Sequence, residues 1–221
     1  MRRSNLLARH EIASHKPLAK THSRKMKRTF DFLFSAFFLL ILSPVFLLIA
    51  LLIKLDSPGP VFYRAVRVGK KGEPFRLYKF RSMAAGAAVK GPGITHQGDP
   101  RVTWVGNWLR RFKLDELPQL INVLVGDMSL VGPRPEVKKF SDMYTNEEMA
   151  ILSVRPGITD WASIWNPDEG SILAGSTDPD RDYLEKIRPE KIRLQLKYVR
   201  EQSFWTDLKI IFLTLTTILF K

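Results

Sequence analysis

The residues best suited to chemistry are two adjacent carboxylates, Asp115 and Glu116, in the run Lys113-Leu114-Asp115-Glu116-Leu117-Pro118-Gln119-Leu120. They lie in a chain with 35 Lys and Arg against 22 Asp and Glu. Basic residues precede them in Trp108-Leu109-Arg110-Arg111-Phe112-Lys113. A stiff segment follows, Val131-Gly132-Pro133-Arg134-Pro135, with one arginine fixed between two prolines that each restrict the backbone. An acidic pair near a rigidly presented guanidinium suits metal-assisted chemistry on a phosphate. Carboxylates hold a hard cation, and arginine binds phosphate oxygens in a bidentate fork. The spacing alone leaves plainer readings open: acidic capping of a helix for the pair, and a rigid turn with a solvated side chain for Arg134.

The elements that must position these residues are legible in outline. Leu114, Leu117, Ile121 and Leu124 fall at helical spacing. Asp115 is read as the N-cap of that helix, with Pro118 in its first turn. Upstream, Val61–Val68 and Pro74–Arg81 flank Gly69-Lys70-Lys71-Gly72 and are predicted to form a β-hairpin. Its basic face carries Arg76, Lys79 and Arg81, either as a solvated strand face or as a phosphate-facing surface. Residues 83–100 are predicted to be a long loop. Residues 101–113 turn helical in their second half, where Trp104 and Trp108 accompany Arg110, Arg111 and Lys113; that mixture suits a membrane interface or a packed helix. Residues 136–152 read as one polar helix, 190–201 as a charged helix and 204–220 as an amphipathic helix.

The most apolar stretch is Phe30–Ile53, whose only charge is Asp31. As one helix it would reach about 36 Å, enough to cross a hydrocarbon core of about 30 Å. Ser43-Pro44 interrupts it near the middle, where proline removes a backbone hydrogen bond. Both flanks are basic: Arg24, Lys25, Lys27 and Arg28 before, Lys54, Arg64 and Arg67 after. The positive-inside bias would then hold both ends on one side of a membrane. A re-entrant helix–break–helix hairpin satisfies both facts and is the favoured reading over a spanning helix or a buried soluble hairpin.

Bulk composition narrows the chemistry. The formal net charge of +13 over 221 residues favours an anionic partner. There is no cysteine, which excludes disulfides and thiol nucleophiles, and of four histidines three lie in the first 22 residues. No Walker A motif, Rossmann glycine signature or serine-nucleophile elbow is present.

Six motifs in a fixed order resemble the monotopic phosphoglycosyl transferases, the bacterial sugar transferase family. They are Lys27-Arg28-x-x-Asp31 before the Ser43-Pro44 break, Tyr78-Lys79-Phe80-Arg81-Ser82-Met83, Asp99-Pro100-Arg101-Val102-Thr103, Leu114 to Leu120, Gly126 to Pro135, and Arg155-Pro156-Gly157-Ile158-Thr159. The resemblance runs from about residue 25 to residue 220. It implies an α+β, mainly helical fold: a re-entrant membrane hairpin, a small β-hairpin, and interfacial helices around a compact cytoplasmic catalytic domain. Residues 1–26, rich in Lys and Arg with no sustained apolar period, are read as a basic, disordered arm; the hairpin then covers 27–56 and the catalytic domain 57–221.

The implied reaction moves a sugar-1-phosphate from a UDP-sugar to polyprenyl (undecaprenyl) phosphate with Mg2+, releasing UMP, as a first membrane step of polysaccharide or glycoconjugate assembly. Asp115 would be the nucleophile, Glu116 a catalytic residue and the Mg2+ ligand, and Arg134, Lys79, Arg81 and Arg101 would bind substrate. The implied location is the cytoplasmic face of the bacterial inner membrane, against membrane lipid and without nucleic acid; homo-oligomer formation stays open. One departure stands out. After Pro156-Gly157-Ile158-Thr159, many relatives read Gly-Trp-Ala-Gln, and this chain reads Asp160-Trp161-Ala162-Ser163. A non-catalytic basic membrane module and a metal-dependent phosphatase are the competing functions.

Overall fold

The computed structural model describes residues 18–84, 86 and 99–219. It is mainly helical, with a small antiparallel hairpin and one short parallel strand pair. Helix α1, Leu18–Ile41, is followed after one residue by α2, Ser43–Asp56. Pro44 has no N–H to give the Leu40 carbonyl, so the helix cannot run on unbroken. The Ser43 hydroxyl donates to that carbonyl instead, at 2.7 Å. The two segments are bent by 61°. Among the described residues no single helix is long and apolar enough to cross a membrane, but this bent pair reaches the length and composition jointly.

Residues 18–26, expected to belong to a disordered arm, form the first turns of α1. Leu, Ala, Lys, Arg and Met in that stretch are strong helix formers, and no proline interrupts them. The rest of the expected arm, residues 1–17, lies outside the described residues, as does most of the predicted 83–100 loop.

The motif Lys27-Arg28-x-x-Asp31 docks α1 onto the body. Lys27 Nζ donates to Asp207 Oδ2 at 2.6 Å and to the Val131 carbonyl at 3.0 Å. Arg28 donates to the Val123 and Leu124 carbonyls at 2.6 and 2.9 Å. Those carbonyls end α4 (Gln119–Val125), where a cation satisfies orphan acceptors and opposes the negative dipole end. Asp31 Oδ1 accepts from the Leu130 N–H at 3.2 Å.

β1, Phe62–Val68, pairs antiparallel with β2, Pro74–Phe80, from Phe62 opposite Phe80 to Val68 opposite Pro74. Ala65 and Leu77 are buried against Leu120 and Val123 of α4. Asn122 of α4 fixes that contact. Its Oδ1 accepts from the Tyr78 N–H at 2.9 Å and its Nδ2 donates to the Arg76 carbonyl at 2.8 Å. One side chain thus supplies β2 with the two bonds that another strand would have made.

α3, Trp104–Arg111, starts at Thr103, whose hydroxyl accepts from the Gly106 N–H at 3.0 Å. Val105 and Leu109 pack with Ile49, Ile53 and Phe80 in a core that joins α2 to the body. A side chain at Gly106 would put its Cβ 2.0 Å from the Ser82 carbonyl oxygen, so the close approach of α3 to the end of β2 requires glycine.

The expected N-terminus of α4 is displaced. Asp115 lies in a 3-10 turn, Leu114–Glu116, and makes no side-chain cap; α4 begins at Gln119 after Pro118. β3, Ser129–Val131, then runs parallel to β4, Gly157–Thr159, a pairing that the sequence reading did not contain. Between them the single helix expected over 136–152 is broken into α5, Lys138–Ser141, and a 3-10 turn, Glu148–Ser153. The break has a local cause. Thr145 and Glu148 form a reciprocal capping box (Thr145 N–H to Glu148 Oε2, 2.8 Å; Glu148 N–H to Thr145 Oγ1, 3.3 Å) that starts a new turn. α6, Trp161–Trp165, is followed by short helical turns at Glu169–Ile172 and Pro179–Asp182 and a π-helical turn, Tyr183–Ile187; then come α7, Arg188–Glu201, and α8, Phe204–Leu219, which match the last two expected helices.

Candidate active site

Four of the predicted side chains meet. Lys79 comes from β2, Asp115 and Glu116 from the 3-10 turn, and Arg134 from the segment after β3. Lys79 Nζ lies 2.7 Å from Glu116 Oε1 and 4.0 Å from Asp115 Oδ2. Arg134 Nη2 is ion-paired with the same Glu116 Oε1. Asp115 is nearly buried, while the Lys79 and Arg134 side chains stay 23% and 27% exposed, so the two cations form the open side of the cluster.

Each part is held from behind. Lys113 precedes the carboxylates in the left-handed region, at φ 57°, and turns the chain between α3 and the 3-10 turn. Arg134 is fixed through its backbone as well as by its flanking prolines. Its N–H donates to Asp160 Oδ2 at 3.1 Å, and its carbonyl accepts from Gln195 Nε2 at 3.3 Å. Asp160 is fully buried, and its Oδ1 accepts from both the Ser163 N–H and hydroxyl at 2.7 Å. Asp160 therefore supplies the N-cap of α6 and the anchor for Arg134 in one side chain. The chain segments at the end of β3 and the start of β4 lie close together: a Cβ on Gly157 would sit 2.1 Å from the Gly132 nitrogen.

The electrostatics split the acidic pair. Burial pushes the Asp115 carboxyl above its ordinary range, and the neighbouring Glu116 charge adds to this, against the pull of Lys79, Arg110 and Lys113. Burial acts on Glu116 in the same direction, but the charges and hydrogen bonds of Arg134 and Lys79 outweigh it and hold that carboxyl well below its ordinary range. Glu116 is thus a fixed anion at neutral pH. Asp115 is the more basic carboxylate, with a weaker grip from its neighbours. A more basic, less tightly paired oxygen is the better nucleophile of the two.

Arg81 and Arg101 have other partners. Arg81 is buried, and its guanidinium donates to the carbonyls of Pro58 at 2.8 Å, Ser57 at 2.6 Å and Ile53 at 3.2 Å, and to Ser57 Oγ at 3.0 Å. It closes the C-terminal end of α2. Arg101 is held by Asp99, with Nε 2.9 Å from Oδ1 and Nη2 2.6 Å from Oδ2.

The sequence reading missed three supports of the site. Asn122 sits alone in an apolar run, itself a sign of a buried amide with a specific task. Asp160 stands three residues before Ser163, an N-cap pattern. Glu136 joins a buried network with no local signature: Lys191 Nζ lies 2.7 Å from Glu136 Oε1 and 2.9 Å from Glu169 Oε1, and the Tyr183 hydroxyl donates to Glu136 at 2.6 Å.

The arrangement is a carboxylate pair with two cations presented outward, a geometry chemically suited to a phosphate. Comparison with known proteins narrows it further. A family model for bacterial sugar transferases matches residues 22–221, and the chain belongs to that family. It is 45% identical over 197 residues to a UDP-glucose:undecaprenyl-phosphate glucose-1-phosphate transferase of Escherichia coli (strain K12), a match that covers 87% of this chain and 40% of the relative. It is 41% identical to a UDP-N-acetylgalactosamine-undecaprenyl-phosphate N-acetylgalactosaminephosphotransferase of Aeromonas hydrophila, covering 88% and 44%. It is 40% identical to exopolysaccharide production protein PSS of Rhizobium leguminosarum bv. phaseoli, covering 87% and 94%. The chain thus spans about two fifths of the first two relatives and nearly all of the third.

Proposed function

We propose that this protein transfers a sugar-1-phosphate from a UDP-sugar to polyprenyl phosphate, releasing UMP, as an early membrane step in exopolysaccharide or lipopolysaccharide assembly. The observation that carries the reading is the split pair: a buried, basic Asp115 beside a Glu116 held by Lys79 and Arg134. A carboxylate oxygen of Asp115 attacks the phosphorus that bears the sugar. The bond from that phosphorus to the UMP oxygen breaks, and UMP leaves with the electron pair. A phosphate oxygen of the polyprenyl phosphate then attacks the same phosphorus. The aspartyl P–O bond breaks, the carboxylate is restored, and the sugar is carried on a polyprenyl diphosphate.

Lys79 and Arg134, at the open side of the cluster, meet the diphosphate oxygens and screen the repulsion between the attacking carboxylate and the substrate. Among the described residues no three acidic or imidazole groups converge. Magnesium does not need them, since it takes one or two protein carboxylates together with phosphate oxygens, and the hard oxygens of Glu116 suit it. Held by Glu116 in this way, it would supply further neutralisation of phosphate charge.

The same reading places the protein at the cytoplasmic face of a bacterial inner membrane, with α1 and α2 as a re-entrant hairpin. The 61° bend, the basic flanks and the exposed apolar side chains Leu40, Leu47, Leu48, Leu51 and Leu55 support it. Exposed Trp104, Trp108 and Trp205 suit the lipid interface. The catalytic claim is tested by UMP release from a panel of UDP-sugars with polyprenyl phosphate and Mg2+. Asp115→Asn is expected to abolish release while the protein stays with membranes; full activity in that variant would sink the proposal.

A further inference from the structure

Residues paired across an antiparallel ladder share a face of the sheet. Tyr63 is opposite Lys79, Ala65 opposite Leu77 and Arg67 opposite Phe75. Lys79 reaches Glu116, so Tyr63, Ala65 and Arg67 stand on the face that carries the carboxylates. Arg64 stands on the other face, its guanidinium 5.2 Å from the ring centroid of its cross-strand partner Tyr78. Arg67 is half-buried and feels the charges of Glu136, Arg134 and Glu116.

Among the described residues Arg67 forms no ion pair. Its guanidinium makes one hydrogen bond among the described residues, to the carbonyl of adjacent Val66, at 3.0 Å. The nearest acid in influence, Glu136, is already taken by Lys191 at 2.7 Å and by the Tyr183 hydroxyl at 2.6 Å. A guanidinium keeps its charge when half-buried. Here Arg67, whose charge is felt alongside Arg134 and Glu116, adds a third cation to Lys79 and Arg134, the two that hold Glu116. That surplus suits a ligand with more than one negative charge, and Arg67 has its donors to spare.

We infer that Arg67 binds the diphosphate of the nucleotide sugar as a third cation beside Lys79 and Arg134. The inference deepens the transferase reading and rests on it for the identity of the ligand. The alternative is a structural role, in which Arg67 only balances the field of Glu136.

The test uses the full chain in detergent, with UDP and uridine as probes in titration calorimetry. In Arg67→Ala, UDP affinity is expected to fall about 10- to 100-fold, the loss typical of a charged hydrogen bond. Arg67→Lys should recover part of it. Uridine, which lacks phosphate, should bind both variants as it binds the wild type, and Arg64→Ala on the opposite face should bind UDP normally. KM for the UDP-sugar should rise by the same factor as the UDP dissociation constant, with little change in KM for polyprenyl phosphate. Unchanged UDP affinity in Arg67→Ala overturns the inference, as does an equal loss for uridine. A wild type that binds no UDP overturns it together with the transferase reading. A wild type that binds UDP through Arg67 yet releases UMP from no UDP-sugar upholds the diphosphate contact and overturns the transferase reading alone.

Discussion

Asn122 joins the helix after the carboxylates to the strand that carries Lys79, and its removal has a size that can be worked out. In Asn122→Ala the Tyr78 N–H and the Arg76 carbonyl each lose their side-chain partner, at 2.9 and 2.8 Å in the intact protein. A buried backbone group left unpaired costs about 1–3 kcal/mol. Two such groups would cost about 2–6 kcal/mol; water can reach one side of β2, so the pair is expected to cost about 3 kcal/mol in all, in the lower part of that range. For a chain of this size that corresponds to a fall in Tm of about 6–12 °C. Lys79 follows Tyr78 directly, so the loosened strand also misplaces its ammonium against Asp115 and Glu116, and turnover should fall by about tenfold or more.

Asn122→Asp separates shape from hydrogen bonding. It keeps the acceptor for Tyr78 but sets a carboxylate against the Arg76 carbonyl and the Asp127 carboxylate, which lies 3.3 Å from Asn122 Nδ2. Its folded pKa would be raised above the unfolded value, so the charged form is penalised. The cost is present in full above the folded pKa and disappears as pH falls below the unfolded one. Differential scanning fluorimetry in detergent, with UMP release alongside, reads both effects. An unchanged Tm and full activity in Asn122→Ala would refute the clamp.

Three further outcomes follow from the geometry. Asp115 must be ionised to attack and burial raises its pKa, so the acidic limb of kcat/KM should lie above the ordinary aspartate value of about 3.9. Lys79→Met removes a charge that lowers that pKa and should move the limb to higher pH; a shift to lower pH in the pH–rate profile would contradict the electrostatic account. Gly157→Ala would drive a Cβ to 2.1 Å from the Gly132 nitrogen, parting β3 from β4 and displacing Arg134; loss of UDP binding with Tm lowered by several degrees is expected, and normal binding would argue against this support of Arg134. Because the chain has no cysteine, single cysteines at Ser4 and Glu73 can report topology directly. A re-entrant hairpin predicts labelling of both from the cytoplasmic side, and labelling from opposite sides means a spanning helix.

Much of the site was legible where residue type and spacing carry physical meaning. The broken apolar run and the β-hairpin followed from periodicity and proline placement; only the family resemblance put Asp115, Glu116, Lys79 and Arg134 in one site, and the structure brings those side chains together. What escaped depended on distant partners. Arg81 looks like a member of a basic strand face, but it lies just beyond β2, where the unpaired carbonyls of Ile53, Ser57 and Pro58 draw it inward. Asp115 looks like an N-cap; the left-handed Lys113 and the tight turn after it move the helix start to Gln119. β3 and β4 are three residues each, too short for any alternation to show, and their pairing rests on the close approach of Gly132 and Gly157. Lys27, Arg28 and Asp31 read as a motif before they read as a clamp, because their partners lie more than 90 residues away.

The central claim is that Asp115 takes the phosphosugar onto itself. Intact-protein and peptide mass spectrometry after incubation with a UDP-sugar and Mg2+, without lipid acceptor, tests it most directly. The account predicts a phosphosugar adduct on the peptide that contains Asp115, formed together with one UMP, discharged by added polyprenyl phosphate and absent in Asp115→Asn. Transfer to lipid by a protein that never carries the adduct, or an adduct on any other residue, would contradict it.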